Sequence, residues 1–140
     1  MIPRTLIDTG PLVAILHAPD AFHAVCTEQL RHLQMPLLTC WPVVTEAAWL
    51  LRDNPQAVQE LLLQSHTGVI RILPMEDSAM LWIAAFLRKY RRASPQIADA
   101  SLMYLADREN LDTIFTLDRR DFSIFRLSGG RRVQLLPAAV

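Results

Sequence analysis

The chain has 140 residues, of which 51% are hydrophobic and 20% charged, and its formal net charge is zero. This composition fits one globular domain over residues 1–140 and excludes a disordered chain, while the zero net charge argues against a general nucleic-acid coat protein. No apolar run approaches the roughly 20 residues that cross a bilayer, and the first residues lack the features of a signal peptide, so we expect a cytoplasmic protein that does not associate with membranes.

Short apolar runs alternate with helical segments along the chain. The sequence predicts a strand at Leu6–Ile7, helices at 11–17 and 20–33, a strand at 36–40, and helices at 42–52 and 55–66. A strand at 69–73, helices from 75 or 76 to 90 and from 94 or 95 onward, and strands at 113–117 and 133–136 complete the pattern. Prolines suited to a first helical turn open several of these helices. The predicted fold class is therefore α/β, a three-layer α/β/α sandwich with a short-stranded, mostly parallel central sheet.

The cysteines and histidines do not have the spacing of a metal site. Cys26 and Cys40 are too few for a disulfide framework or a zinc site, and their apolar neighbours predict that both are buried. The four histidines match no ligand motif, and we expect His17 and His23 at a connection between two helices.

Two aspartates follow predicted strands directly. Asp8 ends the first strand, and Asp118 comes just after the fourth. Open parallel sheets carry their sites at the carboxyl ends of the strands, near the point where strand order reverses. If the two strands are central neighbours, the two carboxylates therefore face one crevice.

Two further acids lie inside apolar helical segments. Glu46 and Asp99 each come four residues after a proline, Pro42 and Pro95, in segments that have almost no other polar residues. A helix that is apolar on every side is buried, and an unpaired buried carboxylate costs several kcal/mol. We expect both acids to lie past the first helical turn, where they would not act as caps. A divalent cation is the simplest partner for them.

Each acid on its own also has a structural interpretation. Asp8 could cap the helix that follows Gly10, and Asp118 or Asp121 could be turn residues. The four acids together instead favour a site for Mg²⁺ or Mn²⁺, which prefer oxygen ligands. Two such ions clamp the attacking and leaving oxygens in phosphodiester cleavage.

The chain resembles the PIN-domain ribonucleases of the VapC-like toxin group throughout its length. The stretches that carry the resemblance are residues 6–14, 44–51, 97–102 and 115–122. It implies a PIN-like fold and a catalytic, metal-binding quartet formed by Asp8, Glu46, Asp99 and Asp118, with Thr9, Thr116 and Asp121 in secondary roles. It also implies Mg²⁺ or Mn²⁺ as cofactor, single-stranded or structured RNA as substrate, a homodimer, and a cognate antitoxin protein as partner.

The rim of the crevice must offset the repulsion between these acids and RNA. Arg119 and Arg120 follow Asp118 directly and are the best placed cations, with Arg126 next, so we predict that these three bind RNA. Three tryptophans in so short a chain also predict apolar surface for a homodimer; they are Trp41, Trp49 and Trp82.

Three other classes of protein compete with this hypothesis. A phosphorylation-receiver domain would need paired acids after the first strand, where Asp8 is followed by Thr9. A haloacid-dehalogenase-type phosphatase would need an aspartate where Gly10 stands. The remaining alternative is a PIN-fold RNA- or protein-binding module with weak or no nuclease activity, which the sequence alone leaves open.

Overall fold

Five strands and seven α-helices alternate along the chain in the computed structural model, which describes residue 2 and residues 4–138. The strands are β1 (Leu6–Ile7), β2 (Leu37–Thr39), β3 (Ile70–Ile72), β4 (Thr113–Phe115) and β5 (Gln134–Leu136). The helices are α1 (Thr9–Leu16), α2 (His23–Leu30), α3 (Trp41–Leu50), α4 (Pro55–Thr67), α5 (Ala79–Lys89), α6 (Ile97–Arg108) and α7 (Arg119–Ile124). Two short 3₁₀ helices lie at Arg91–Ala93 and Ser128–Gly130.

The strands form one parallel sheet in the order β3-β2-β1-β4-β5. β1 is central, and Leu6 pairs with Leu38 on one side and with Ile114 on the other. β1 and β4 are therefore neighbours, which is the condition under which Asp8 and Asp118 were expected to face one crevice. The predicted α/β fold with a mostly parallel central sheet is confirmed. All pairings between the described strands are in fact parallel.

Both faces of the sheet are covered. Consecutive residues of a strand point to opposite faces, yet Leu6 and Ile7 are both fully buried, and so are Ile114 and Phe115. Helix α6 adds a row of fully buried side chains, Leu102, Met103 and Leu105. Among the described strands, exposed residues occur in the two edge strands, at Arg71 in β3 and Gln134 in β5. The helices therefore enclose the sheet as the outer layers of the predicted sandwich.

Several helix starts differ from the predictions because side chains form turns ahead of the helix. Asp20 was expected to cap a helix from residue 20, but its Oδ1 accepts a hydrogen bond from the Phe22 N–H at 2.8 Å, and α2 begins at His23. Helix α6 begins at Ile97, later than predicted, because Gln96 has an extended backbone and forms a capping box with Asp99. The turn after Asp118 holds a further helix, α7, that the sequence analysis did not predict.

Helix α3 is less buried than its apolar sequence predicted. Trp41, Trp49 and Leu50 are 58%, 63% and 54% exposed, so the inference that α3 is enclosed on every side was wrong. Trp82 differs from them, because its ring stacks on Phe86 with centroids 5.4 Å apart. No helix in the described part of the chain combines the length and the apolar character that a membrane crossing requires.

The cysteines and the first histidines lie where they were predicted. Cys26 and Cys40 are fully buried free thiols, and burial raises their pKa to about 11 and about 12. His23 opens α2, and its Nδ1 lies 2.7 Å from the carbonyl oxygen of Ala14 in α1. These residues stabilise the packing of the core and of the α1–α2 connection.

Candidate active site

Five carboxylates line one cavity of about 440 Å³ at the carboxyl edge of the central strands. They belong to Asp8, Glu46, Asp99, Asp118 and Asp121. The other residues that line this acidic cavity are Thr9, Gly10, Leu50, Ser94, Gln96 and Leu117. The structure thus brings the whole predicted quartet to one place, together with Thr9 and Asp121, and the described lining contains no basic side chain.

Asp8 is the most buried acid of the cavity, with only 7% of its surface exposed. Its backbone N–H donates to the Phe115 carbonyl oxygen at 2.9 Å, which holds the residue against β4. The residue occupies the N-cap position of α1, but its side chain makes no capping hydrogen bond, so the structural interpretation of Asp8 was wrong. Burial raises the pKa of this carboxyl group to about 7, against a hydrogen bond from Thr116 that lowers it.

Thr116 connects two of the acids. Its hydroxyl donates a hydrogen bond to Asp8 Oδ2 at 2.8 Å, and Thr116 Oγ1 itself accepts the backbone N–H of Asp118 at 3.0 Å. Asp118 Oδ1 in turn accepts the backbone N–H of Asp121 at 3.2 Å and so caps α7. The interpretation of Asp118 as a turn residue is therefore correct for one of its oxygens. Burial raises the pKa of Asp118, as it does for Asp8.

Asp99 also has a structural contact that the sequence analysis excluded. It lies in the first turn of α6, where its Oδ2 accepts the backbone N–H of Gln96 at 2.9 Å. The expectation that Asp99 lies past the first turn was wrong, because the helix begins at Ile97 and not at Pro95. Burial raises the pKa of Asp99, and the negative charges of Asp118 and Glu46 raise it further.

Glu46 lies within α3, past its first turn as predicted, and lines the cavity. It is half-buried, and its carboxylate makes no hydrogen bond or ion pair with any residue that the structure describes. Among the acids of the quartet, Glu46 is the one without such a contact. Its carboxylate is therefore free to contact a ligand in the cavity.

The donors of the cavity fit a hard divalent cation. The described residues contain no group of three ligating side chains close enough together to enclose an ion. Mg²⁺ does not require such a cage, since it keeps several waters and uses one or two carboxylates together with substrate phosphates. The Thr9 hydroxyl also lines the cavity and is buried without a hydrogen-bond partner in the described structure, so it is available to a ligand or its water.

The three arginines that were predicted to bind RNA have different surroundings. Arg119 Nη1 donates to the carbonyl oxygen of Pro137, and Arg126 Nη1 donates to three carbonyl oxygens at the end of α7. Both guanidinium groups therefore stabilise the fold around α7. Arg120 is exposed, and its charge lowers the pKa of Asp118.

Known proteins are similar to this chain in sequence and in fold. No family model matches the chain. Over 134 residues it is 32% identical to Ribonuclease VapC26 of Mycobacterium tuberculosis (strain ATCC 25618 / H37Rv), and the match covers 94% of this chain and 99% of the relative. The crystal structure of Mycobacterium tuberculosis VapC20, described as a sarcin–ricin loop cleaving toxin, has the same fold with a TM-score of 0.76. That match has 16% identity and covers 83% of this chain and 91% of the other.

Proposed function

The chain belongs to the VapC family of PIN-domain ribonucleases, and from that premise we propose that it is a toxin endoribonuclease that cuts single-stranded RNA with Mg²⁺ or Mn²⁺ at the acidic cavity. The observation that carries the proposal is the convergence of Asp8, Glu46, Asp99 and Asp118, from four separate elements, on one cavity without a basic side chain. A binding module has no need to concentrate charges that repel RNA.

The chain's own residues hold the carboxylates in fixed positions. Thr116 orients Asp8 and the backbone of Asp118, while the first turn of α6 orients Asp99 through the Gln96 N–H. Such supporting contacts determine how well a metal is held. Glu46 completes the set from α3 with a carboxylate that has no other partner among the described residues.

These four acids would hold one or two divalent ions, with waters and a phosphate of the substrate as the other ligands. When bound, the ion would supply electrophilic activation of the scissile phosphate and of the attacking nucleophile. A carboxylate must be ionised to bind such an ion, and burial raises the pKa of Asp8 to about 7, so binding of the ion would be coupled to release of a proton from Asp8. Thr9 and Asp121 also line the cavity and would contact the ligand or its waters.

The partners follow from the same family. We propose that the chain forms a homodimer and that a cognate antitoxin protein inhibits it. An antitoxin segment that places an arginine or lysine in the acidic cavity would compete directly with the metal, because the charged side chains that line the cavity are all carboxylates.

Metal-dependent cleavage separates the nuclease from a PIN-fold binding module. Purified protein is incubated with labelled single-stranded RNA in Mg²⁺, Mn²⁺ or EDTA, and the products are resolved on a denaturing gel. A nuclease gives internal cleavage that EDTA stops, and that Asp8→Asn abolishes but Asp20→Asn does not. Binding of RNA without metal-dependent cleavage would favour the module.

A further inference from the structure

A second cavity, of about 690 Å³, lies beside the acidic cavity and has the opposite charge. Its lining includes Lys89, Arg91, Arg92 and Arg120, against a single carboxylate, that of Asp121. We call it the basic cavity. Its volume is in the range of roughly 300–1,000 Å³ that is usual for ligand sites.

The four cations of the basic cavity have no anionic partners. None of them forms an ion pair with a carboxylate within the described residues, although Arg4, Arg31 and Arg108 do so elsewhere. Arg91 donates to a backbone carbonyl, and Lys89 lies 5.3 Å from the Tyr90 ring, but neither contact neutralises charge. Like charges that line one cavity repel one another, so the cavity attracts a polyanion, whose negative charges reduce that repulsion.

Two segments of the chain contribute residues to both cavities. Asp121 lines both of them. The 3₁₀ helix Arg91–Ala93 lies on the wall of the basic cavity, and the next residue, Ser94, turns in the left-handed conformation and lines the acidic cavity. On the facing wall, Asp118 lines the acidic cavity and Arg120 the basic one. A ligand that leaves the acidic cavity past Asp121 therefore enters the basic cavity directly.

We propose that the basic cavity binds backbone phosphates of the RNA strand that flanks the phosphodiester bond in the acidic cavity. This inference rests on the proposed function, because it takes RNA as the ligand of the neighbouring site. The acidic cavity repels a polyanion, and a fixed group of cations at its exit offsets that repulsion and aligns the strand. Arginine suits this role, because its guanidinium group contacts two phosphate oxygens at once.

The assignment differs from the one made from the sequence. Arg119 and Arg126 are partly buried and donate to carbonyl oxygens. Lys89, Arg91 and Arg92 are exposed and line the cavity, although Arg91 also donates to the Arg88 carbonyl oxygen. Arg120 belongs to both the sequence prediction and the basic cavity. Three of the four phosphate-binding residues are therefore provided by the end of α5 and the segment that follows it.

Salt-dependent RNA binding tests the proposal. A short labelled single-stranded RNA is titrated with protein in EDTA over a series of salt concentrations, with fluorescence anisotropy as the readout. The test variant is Lys89→Gln with Arg92→Gln, which removes two exposed charges without touching the acids. The matched control is Arg131→Gln with Arg132→Gln, whose exposed side chains line neither cavity and precede the amino end of β5, whereas the acidic cavity lies at the carboxyl ends of the strands.

The loss of two phosphate contacts should reduce the salt slope of log Kd by about 1.4 and weaken binding about tenfold, while the control keeps the wild-type slope. Arg92→Lys should keep it too, since the charge remains. A slope for the test variant equal to that of the control overturns the basic cavity as an RNA site. Absence of metal-dependent cleavage by wild type, with cavity-dependent binding intact, instead overturns the proposed function and leaves the RNA site standing.

Discussion

The Thr116 hydroxyl donates a 2.8 Å hydrogen bond to Asp8 Oδ2 across the neighbouring strands β4 and β1, between residues 108 positions apart in the chain. The hydroxyl oxygen of Thr116 also accepts a hydrogen bond from the backbone N–H of Asp118. One buried side chain thus sets the position of two acids of the cavity. The sheet topology is what allows this, because it places the ends of β1 and β4 side by side.

Thr116→Val tests whether this contact supports metal binding. Valine keeps the shape of threonine but cannot donate to Asp8, and lost contacts of this kind typically reduce metal affinity or activity about 10–100-fold. We expect cleavage to fall in that range and the Mn²⁺ concentration for half-maximal rate to rise, while Thr116→Ser stays close to wild type. Cleavage rates over a Mn²⁺ titration give both quantities.

Thr39→Val is the matched control for that substitution. Thr39 is also fully buried on a neighbouring strand, and its hydroxyl donates to the Ile7 carbonyl oxygen at 2.9 Å without contacting an acid. The two variants should lose comparable stability, but only Thr116→Val should need more metal. An equal rise in the metal requirement of both variants would show that Thr116 acts through general stability alone.

The stability of the metal-free protein should decrease as the pH rises from about 4 to about 7. Asp8 keeps its proton up to about pH 7 in the folded protein, because burial raises its pKa, whereas the unfolded chain releases that proton near the ordinary value of 3.8. The folded state therefore binds more protons in this window, and the free energy of unfolding falls by up to about 4 kcal/mol as the pH rises.

Asp8→Asn should remove that pH dependence, since asparagine does not titrate and its amide oxygen can still accept from Thr116. In EDTA above pH 7 the variant should melt at a higher temperature than wild type, and Mn²⁺ should reverse the order because only the intact quartet gains binding energy. Thermal melts with EDTA and with Mn²⁺ measure this. A lower melting temperature than wild type in EDTA at that pH would contradict the burial of an ionised Asp8.

Two substitutions at Asp99 separate its structural role from its proposed role in catalysis. Asp99→Ala loses the acceptor for the Gln96 N–H and should cost roughly 0.5–2 kcal/mol of stability, as lost helix caps do. Asp99→Asn keeps an acceptor oxygen and should be about as stable as wild type. Both should abolish cleavage. If Asp99→Asn retained cleavage, capping would be the whole role of Asp99.

The exposed tryptophans of α3 should lie in the homodimer interface. Trp41 and Trp49 are spaced two helical turns apart on one side of α3, and both are more than half exposed. Trp41→Lys with Trp49→Lys should convert a dimer into a monomer in sedimentation velocity at micromolar concentration. Leu81→Lys, on the exposed side of α5, is the control and should leave the dimer intact. A monomeric wild type under these conditions would contradict the homodimer.

The sequence predicts those features of the site that depend on strand order. Asp8 and Asp118 follow buried strands, and the carboxyl ends of neighbouring parallel strands must share an edge. The cap at Asp99 was not predictable in the same way, because Pro95 suggested an earlier helix start, whereas the extended backbone of Gln96 delays it to Ile97. The exposed face of α3 was missed because an apolar pattern does not say whether the chain itself or a second molecule covers the helix.

The basic cavity illustrates the same limit. Arg91 and Arg92 belong to the segment after α5, while Arg120 belongs to α7, and no local pattern links them. Arg119 and Arg120 looked equivalent in sequence, yet one is bound to the Pro137 carbonyl and the other is exposed. Such differences depend on which carbonyl oxygens lie within reach, which only the folded chain determines.

Metal-dependent RNA cleavage by Glu46→Gln tests the account most directly. Glu46 makes no hydrogen bond or ion pair with the described residues, so its carboxylate has no structural contact to lose, and glutamine keeps its size. We predict a folded variant with a wild-type melting temperature in EDTA and a cleavage rate in Mn²⁺ at least about 100-fold lower, since loss of a direct ligand exceeds loss of a supporting contact. Glu60→Gln, an exposed position on α4, should cleave as wild type does. Undiminished cleavage by Glu46→Gln at limiting Mn²⁺ would contradict the assignment of the acidic cavity as the metal site of the nuclease.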